Sequence, residues 1–174
     1  TSRICCDCIC SMDNMEKRKM IRTILFSIDI ALAPVTAFAY AECDPKANVT
    51  TINGVGLPGK MATLVDSELM IDTIIASGER LTVEKAVRKA GTRVGIHVHN
   101  YGGWTCVLEG AMTDFAEGKP PMYFPAGTCY YMPPNTPMST SNMGSVDAVI
   151  QDTFITPVNE PSITIIEPNY PGCK

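Results

Sequence analysis

Apolar and polar residues alternate with the period of a β-strand along much of this chain. The clearest run is residues 80–88, where Leu81, Val83 and Val87 stand among Arg80, Thr82, Glu84, Lys85 and Arg88. Successive side chains of a strand point to opposite faces, so this alternation predicts a half-buried strand. Residues 84–90 also fit a helical turn, but Gly91 stops it and the neighbouring runs are β-branched, which favours the strand. Further strand-like runs lie at residues 61–65 and 69–75, separated by the polar Asp66-Ser67-Glu68, and at 93–99, 104–108, 111–115, 122–124, 128–132, 138–142 and 146–155. Gly102-Gly103, Gly110, Gly118 to Pro121, Pro125 to Gly127 and Pro133 to Pro137 punctuate them as turns. Short strands at regular spacing, without a convincing helix or internal repeat, predict an all-β sandwich or barrel.

The flanks read differently. Residues 43–59 are rich in Asn, Gly, Pro and Thr and read as an irregular arm lying over the core. Residues 157–174 carry four prolines and one apolar run at 163–166, and read as a tail covering a sheet edge or a dimer partner. The expected organisation is a leader at 1–41, an arm with the first strands at 42–78, a barrel core at 79–156 and the Pro-rich tail at 157–174.

The leader changes the picture. Its opening cluster, Cys5, Cys6, Cys8 and Cys10, lacks a second Cys or Cys/His pair at zinc-finger spacing, and it precedes three potential start residues, Met12, Met15 and Met20. The numbering therefore reads as starting upstream of the true start. Lys17, Arg18, Lys19 and Arg22 then precede an apolar run at 24–39 with small residues at 37, 39 and 41, the pattern of an export signal cleaved after Ala39 or Ala41. Asp29 and Pro34 make the run too polar to span a membrane comfortably, and Glu42 before Cys43 does not suit lipid attachment. The expectation is a periplasmic or extracellular protein with no membrane span in the mature chain.

Cleavage there leaves four cysteines, Cys43, Cys106, Cys129 and Cys173, which permit three disulfide connectivities. A bridge from Cys43 to Cys173 would staple the two ends; four free thiols are the alternative. With 45% apolar residues a chain of this length can bury a real core, and a net charge of −4 without a basic cluster past the N-terminal region argues against a nucleic-acid partner. A small-molecule ligand or a protein partner fits better. No phosphate loop, nucleophile triad or nucleotide fingerprint narrows the choice.

Both histidines of the chain lie in one stretch, Gly91 to Asn100. As alternate strand residues, His97 and His99 would present both imidazoles to one face about 7 Å apart along the backbone, a metal-binding posture. The plainer reading makes them surface residues of a strand whose Val94, Ile96 and Val98 face the other way.

This stretch and a later one resemble the cupin superfamily of small jelly-roll β-barrels. The first cupin motif runs Gly, five residues, His-x-His, three or four residues, Glu, six residues, Gly; this chain has Gly91, His97, His99, Gly103 in place of Glu, and Gly110 at those spacings. The second runs Gly, five residues, Pro-x-Gly, two residues, His, three residues, Asn; here stand Gly127, Pro133, Asn135 in place of Gly, Met138 in place of His, and Asn142. Val107-Leu108-Glu109-Gly110 matches a further family phrase. Asn135 is a mild departure, because Asn tolerates the left-handed backbone of a tight turn.

The resemblance implies a single cupin-type jelly-roll barrel that binds a small molecule. It implies metal-dependent oxygenase, lyase or isomerase chemistry, or a metal-free binding or sensing module with a degenerate site. In metal-binding cupins the two motif-one histidines, the Glu and the motif-two His hold the ion. Here the set would be His97, His99 and Met138, a two-nitrogen, one-sulfur site suited to a copper ion or another divalent ion, with Gly103 leaving room for water or substrate. Other donors, such as Glu109, a tyrosine or a cysteine, are the second option. Gly103, Thr105, Tyr131 and Asn142 are the candidate pocket residues. One of Tyr130 and Tyr131 should face inward. The resemblance also implies neighbouring strands for Cys106 and Cys129, which could then pair across the sheet. A homodimer is the expected assembly.

Overall fold

The computed structural model describes residues 41–44 and 46–173. The cysteine cluster at 5–10, the candidate start residues and the export signal before residue 41 lie outside the described residues. Among those described there is no helix; thirteen strands form two sheets. In the larger sheet, β1 (Ala41–Cys43), β13 (Ile163–Ile165), β6 (His97–Val98), β11 (Met138–Ser141), β5 (Thr92–Arg93) and β2 (Lys60–Met61) follow one another, and β8 (Ala111–Ala116) joins β11 to β9 (Met122–Pro125). The smaller sheet runs β10 (Cys129–Met132), β7 (Gly103–Glu109), β12 (Ala148–Thr156), β4 (Arg80–Arg88) and β3 (Val65–Ile74). Residues of both sheets line one interior cavity, as expected of an all-β jelly-roll barrel.

The core forms where the inner faces meet. Ala116, Tyr130, Met132, Met138 and Phe154 make one buried cluster; Val107, Met112, Ala148 and Ile150 make a second. On β12 the inward phase is Ile150, Asp152 and Phe154, all on the cavity wall. The expected break at Asp66-Ser67-Glu68 is instead carried inside β3, where the pairing with β4 shifts register between Val65 and Glu68 and again between Leu69 and Ile71. Asp66 takes a positive φ of 53°, so the extra polar residues are absorbed by bulging rather than by ending the strand.

The face assignment on β4 reverses the simple reading of its pattern. Glu84 and Arg88 line the cavity, and Thr82 and Ala86 are buried on the same phase, so Leu81, Val83 and Val87 lie on the other face of the strand, Val83 buried and the other two half-buried. The outer face of this sheet also carries the exposed Trp104, Leu108 and Tyr131. Apolar residues outside and charged ones inside mean that the interior is not a plain hydrophobic core.

The tail belongs to the sheet. β13 pairs with β1 on one side and with β6 on the other, so residues 163–165 cover the edge of the histidine strand. Two disulfides join Cys43 to Cys173 and Cys106 to Cys129; the second links residues directly opposite on β7 and β10. Closing a loop as long as the first restrains the unfolded chain most. No helix of the described residues is long and apolar enough to cross a membrane.

Candidate functional site

The expected strand at 93–99 is split into β5 and β6 by an irregular stretch at 94–96, and tail residues hold that irregularity in place. Glu167 accepts a hydrogen bond from the Ile96 backbone N–H at 2.7 Å, and the Ile96 carbonyl accepts from the N–H groups of Ile166 and Glu167. Glu167 also forms a two-pronged ion pair with Arg93 at 2.5 and 2.7 Å, buried on both sides. Gly95 lies against the Tyr170 ring, where a Cβ would come within 3.0 Å of it.

This frame turns both imidazoles into the cavity. Their rings meet edge to face with centroids 4.8 Å apart, and His99 stacks on Phe154 at 5.0 Å. Nδ1 of His97 lies 2.8 Å from the Gly95 carbonyl, and Nδ1 of His99 lies 2.6 Å from the Ser162 carbonyl. A carbonyl oxygen can only accept, so each Nδ1 carries the hydrogen and donates it. In the neutral rings both Nε2 atoms then present bare lone pairs, and these two atoms lie 3.1 Å apart. Burial pushes the imidazoles down, His97 to about 3, aided by His99, and His99 to about 4, while the carbonyl bonds act the other way. At neutral pH the facing lone pairs have no proton between them.

The cavity measures about 300 Å³. Part of its wall is a polar group on the smaller sheet. Thr105 donates to Asp152 Oδ1 at 2.5 Å, and Asp152 is the direct cross-strand neighbour of Glu84. Burial, with the Glu84 charge adding to it, raises Asp152 to about 6, against the Thr105 bond and the Arg88 charge. Tyr130 donates to Thr140, and Thr140 to Asp114, at 3.2 and 3.3 Å; burial raises Asp114 to about 6 and also raises the Tyr130 phenol. Arg88 completes the group, its charge disfavoured by burial.

The sequence candidates fall in different places. Thr105, His97 and His99 line the cavity. Gly103 does not leave room for water or substrate: the Phe154 ring fills that space, and a Cβ there would lie 2.5 Å from it. Tyr131 is 51% exposed and tilts against Trp104 outside the barrel, whereas Tyr130, at 7%, takes the inward place. The cause is register, since Tyr130 pairs with the inward Thr105 and Tyr131 with the outward Trp104. Asn142 is buried but works on the backbone, donating to the carbonyls of Arg88 and Val146 and accepting from the Gly144 N–H. Met138 pairs with His97 across β11 and β6 and shares its face of the sheet, buried in the Phe154 cluster rather than on the cavity wall. Asn135 does adopt the left-handed turn, at φ 55°. Among the described residues no group of three or more His, Cys, Asp or Glu gathers in a metal-holding cluster.

Arg88, Glu84, Asp152 and Phe154 were not among the sequence candidates. The one signal was charge at the alternate positions 84 and 88 of β4, which looks the same whether that face meets water or a cavity.

Fold and site together define a β-barrel with a histidine pair turned into a polar-walled interior. Solved structures similar to the chain are cupin-type double-stranded β-helix proteins. A cupin family protein from Methanocaldococcus jannaschii is 21% identical with a TM-score of 0.46, over 54% of this chain and 81% of that one. A cupin-like protein from Thermotoga maritima is 19% identical with a TM-score of 0.45, over 60% and 81%. A DMSP lyase from Ruegeria pomeroyi is 18% identical with a TM-score of 0.48, over 63% and 53%. No model of a known protein family matches the chain, and no curated protein does.

Proposed function

We propose that the barrel interior is a small-molecule site built around a metal ion held by Nε2 of His97 and His99. The observation that carries this is the pair of bare lone pairs 3.1 Å apart, each imidazole fixed from behind by a carbonyl at its Nδ1. Two facing lone pairs repel, and a cation between them removes the repulsion. A backbone acceptor behind each ring is also the usual support of a metal-ligating histidine.

The donor set fits a borderline or soft ion. Two neutral imidazoles suit copper, zinc, nickel or iron, and the described residues gather no carboxylate with them, which disfavours magnesium, calcium and manganese. Met138 shares the His97 face and is the candidate third ligand, one that would tilt the site toward copper; water or the bound molecule completes the set. When bound, the ion supplies Lewis-acid polarisation to an oxygen of the ligand. The chain's own residues exclude water through the Phe154 cluster, orient the imidazoles and place at Asp152 a carboxyl that burial raises to about 6, able to take up a proton and release it near neutral pH. Such a site suits an oxygenase, lyase or isomerase acting on a small organic molecule in the cell envelope or outside the cell, where two disulfides persist. The second reading, a metal-free binding or sensing module, is favoured by the ring of Phe154 occupying the space beside Gly103.

Metal analysis of the purified full chain decides between them. The expected result is one equivalent of copper or zinc per chain, lost in both His97→Ala and His99→Ala. A wild-type chain that takes up none of copper, iron, manganese or zinc overturns the metal and leaves the metal-free module.

A further inference from the structure

A buried guanidinium normally has its five N–H groups satisfied by carboxylates and carbonyls, because an unpaired buried charge is among the most destabilising groups a fold can hold. Arg93 has a carboxylate partner in Glu167 and a further bond from Nη1 to the Val94 carbonyl. Arg88 has no such partner. It is 2% exposed and donates to the Ala62 carbonyl from Nη1 at 2.6 Å; the Nε atoms of both arginines are buried without a partner, so the difference between them is the carboxylate. Among the described residues no carboxylate lies within ion-pair distance of it. The Tyr170 hydroxyl beside it gives its own hydrogen to the Ala62 carbonyl and offers its oxygen to the guanidinium, a neutral partner that leaves the charge unpaired.

Arg88 stands at the cavity, although its Nε is itself closed off from water. It lies on the inner phase of β4 and lines the same cavity as His97, His99, Asp152 and Tyr130. Glu84, on that phase as well, is separated from it by Ala86. Asp152 is held by Thr105, and burial keeps its proton on until about pH 6. Neither carboxyl neutralises Arg88 by contact.

We propose that Arg88 is an anion-binding residue and that the molecule taken into the barrel presents an oxyanion group, such as a carboxylate, to its guanidinium. This rests on reading the barrel interior as the ligand site and names the class of molecule that site takes. A planar fork of donors matches two oxygens of a carboxylate or phosphate at once, which a point charge cannot do. The cavity of about 300 Å³ is of the size that takes a small molecule. The class is therefore a small organic acid or a small oxyanion, with the histidine pair and Asp152 meeting the rest of the molecule.

The test is calorimetric titration of the metal-stripped full chain with succinate and, separately, with inorganic phosphate, in sodium chloride at matched ionic strength, repeated after zinc or copper is restored. Wild type is expected to bind at least one of the two. Succinate alone identifies an organic acid as the source, and phosphate alone an inorganic or phosphoryl oxyanion. Arg88→Gln should weaken binding by about tenfold or more, and Arg88→Lys should recover part of it. Equal binding by wild type and Arg88→Gln, or no binding of either anion by wild type in either metal state, overturns the proposal. Should Arg88→Gln fail to fold, the thermal midpoint of wild type replaces it: it should rise with succinate or phosphate above the chloride control, and no rise with either overturns the idea. Metal content is measured on the same samples. A chain that holds no metal yet loses anion affinity on Arg88→Gln keeps this inference and overturns the metal site, while normal metal content without Arg88 dependence does the reverse.

Discussion

Two regions of the barrel each bury an arginine, and they differ in whether the protein supplies the carboxylate. Where β5 and β11 meet the tail, the protein answers its own groups: Arg93 is paired with Glu167, Ser139 donates to the Val94 carbonyl and Ser141 to that of Pro58. Across the cavity, β4 buries Arg88 with no carboxylate within ion-pair distance among the described residues, while Glu84 and Asp152 line the cavity beside it. Similar groups thus stand in different surroundings. The first set locks the irregular stretch before the histidines, and the second lines the cavity. The histidine pair combines both habits, its Nδ1 atoms satisfied by the backbone and its Nε2 atoms left bare.

The comparison can be broken most sharply at Glu167. Glu167→Ala leaves Arg93 buried without its partner and the Ile96 N–H without its acceptor, so stability in urea should fall by about 3–5 kcal/mol. Metal uptake should weaken with it, because the carbonyls behind the imidazoles lose their frame. A loss below about 1 kcal/mol would make this region as loosely satisfied as the other.

Asp152 tests the opposite wall. Its folded pKa, about 6 against an ordinary 3.8, means that the folded chain holds this proton more tightly than the unfolded chain. Its contribution to stability is therefore fully present below about pH 4 and is lost as pH rises through 6. Asp152→Asn, which does not ionise and keeps the Thr105 bond, should match wild type near pH 4 and exceed it at pH 8 by up to about 2–3 kcal/mol. Glu84, Arg88 and Tyr130 face the same space, and denaturation at both pH values in saturating and zero succinate separates their effect from that of a bound anion. A variant less stable than wild type at pH 8 would show that Asp152 is already paired.

The smallest effect is expected outside the barrel. Tyr131→Phe removes an exposed hydroxyl that meets no cavity residue, so unfolding should change by less than about 0.5 kcal/mol and anion affinity not at all. Lost affinity in that variant would return Tyr131 to the site.

Much of this architecture was legible in the chain. Turn residues at short intervals marked the strands, and the two-residue spacing of His97 and His99 put both imidazoles on one face. The cupin-like phrases put Cys106 and Cys129 on neighbouring strands, and the register of β7 and β10 sets them opposite one another. The phase of each strand was harder to read. Tyr130 and Tyr131 are neighbours of the same chemistry, and only the pairing with Thr105 selects which one enters the barrel. The alternation on β4 marked two faces without saying which one turns inward; the phase of Glu84 and Arg88 is the one that lines the cavity.

What the sequence by itself determined is local: strand period, turn positions and the shared face of the two histidines, all set by backbone geometry within a few residues. Only the tertiary structure decided which groups meet. Glu167 lies 74 residues from Arg93 and Ser162 lies 63 from His99, and their contacts exist because β13 pairs with β6. The bare lone pairs of the histidines and the unpaired guanidinium of Arg88 are properties of that assembly, since a group counts as unsatisfied only once folding has removed the water that would otherwise satisfy it.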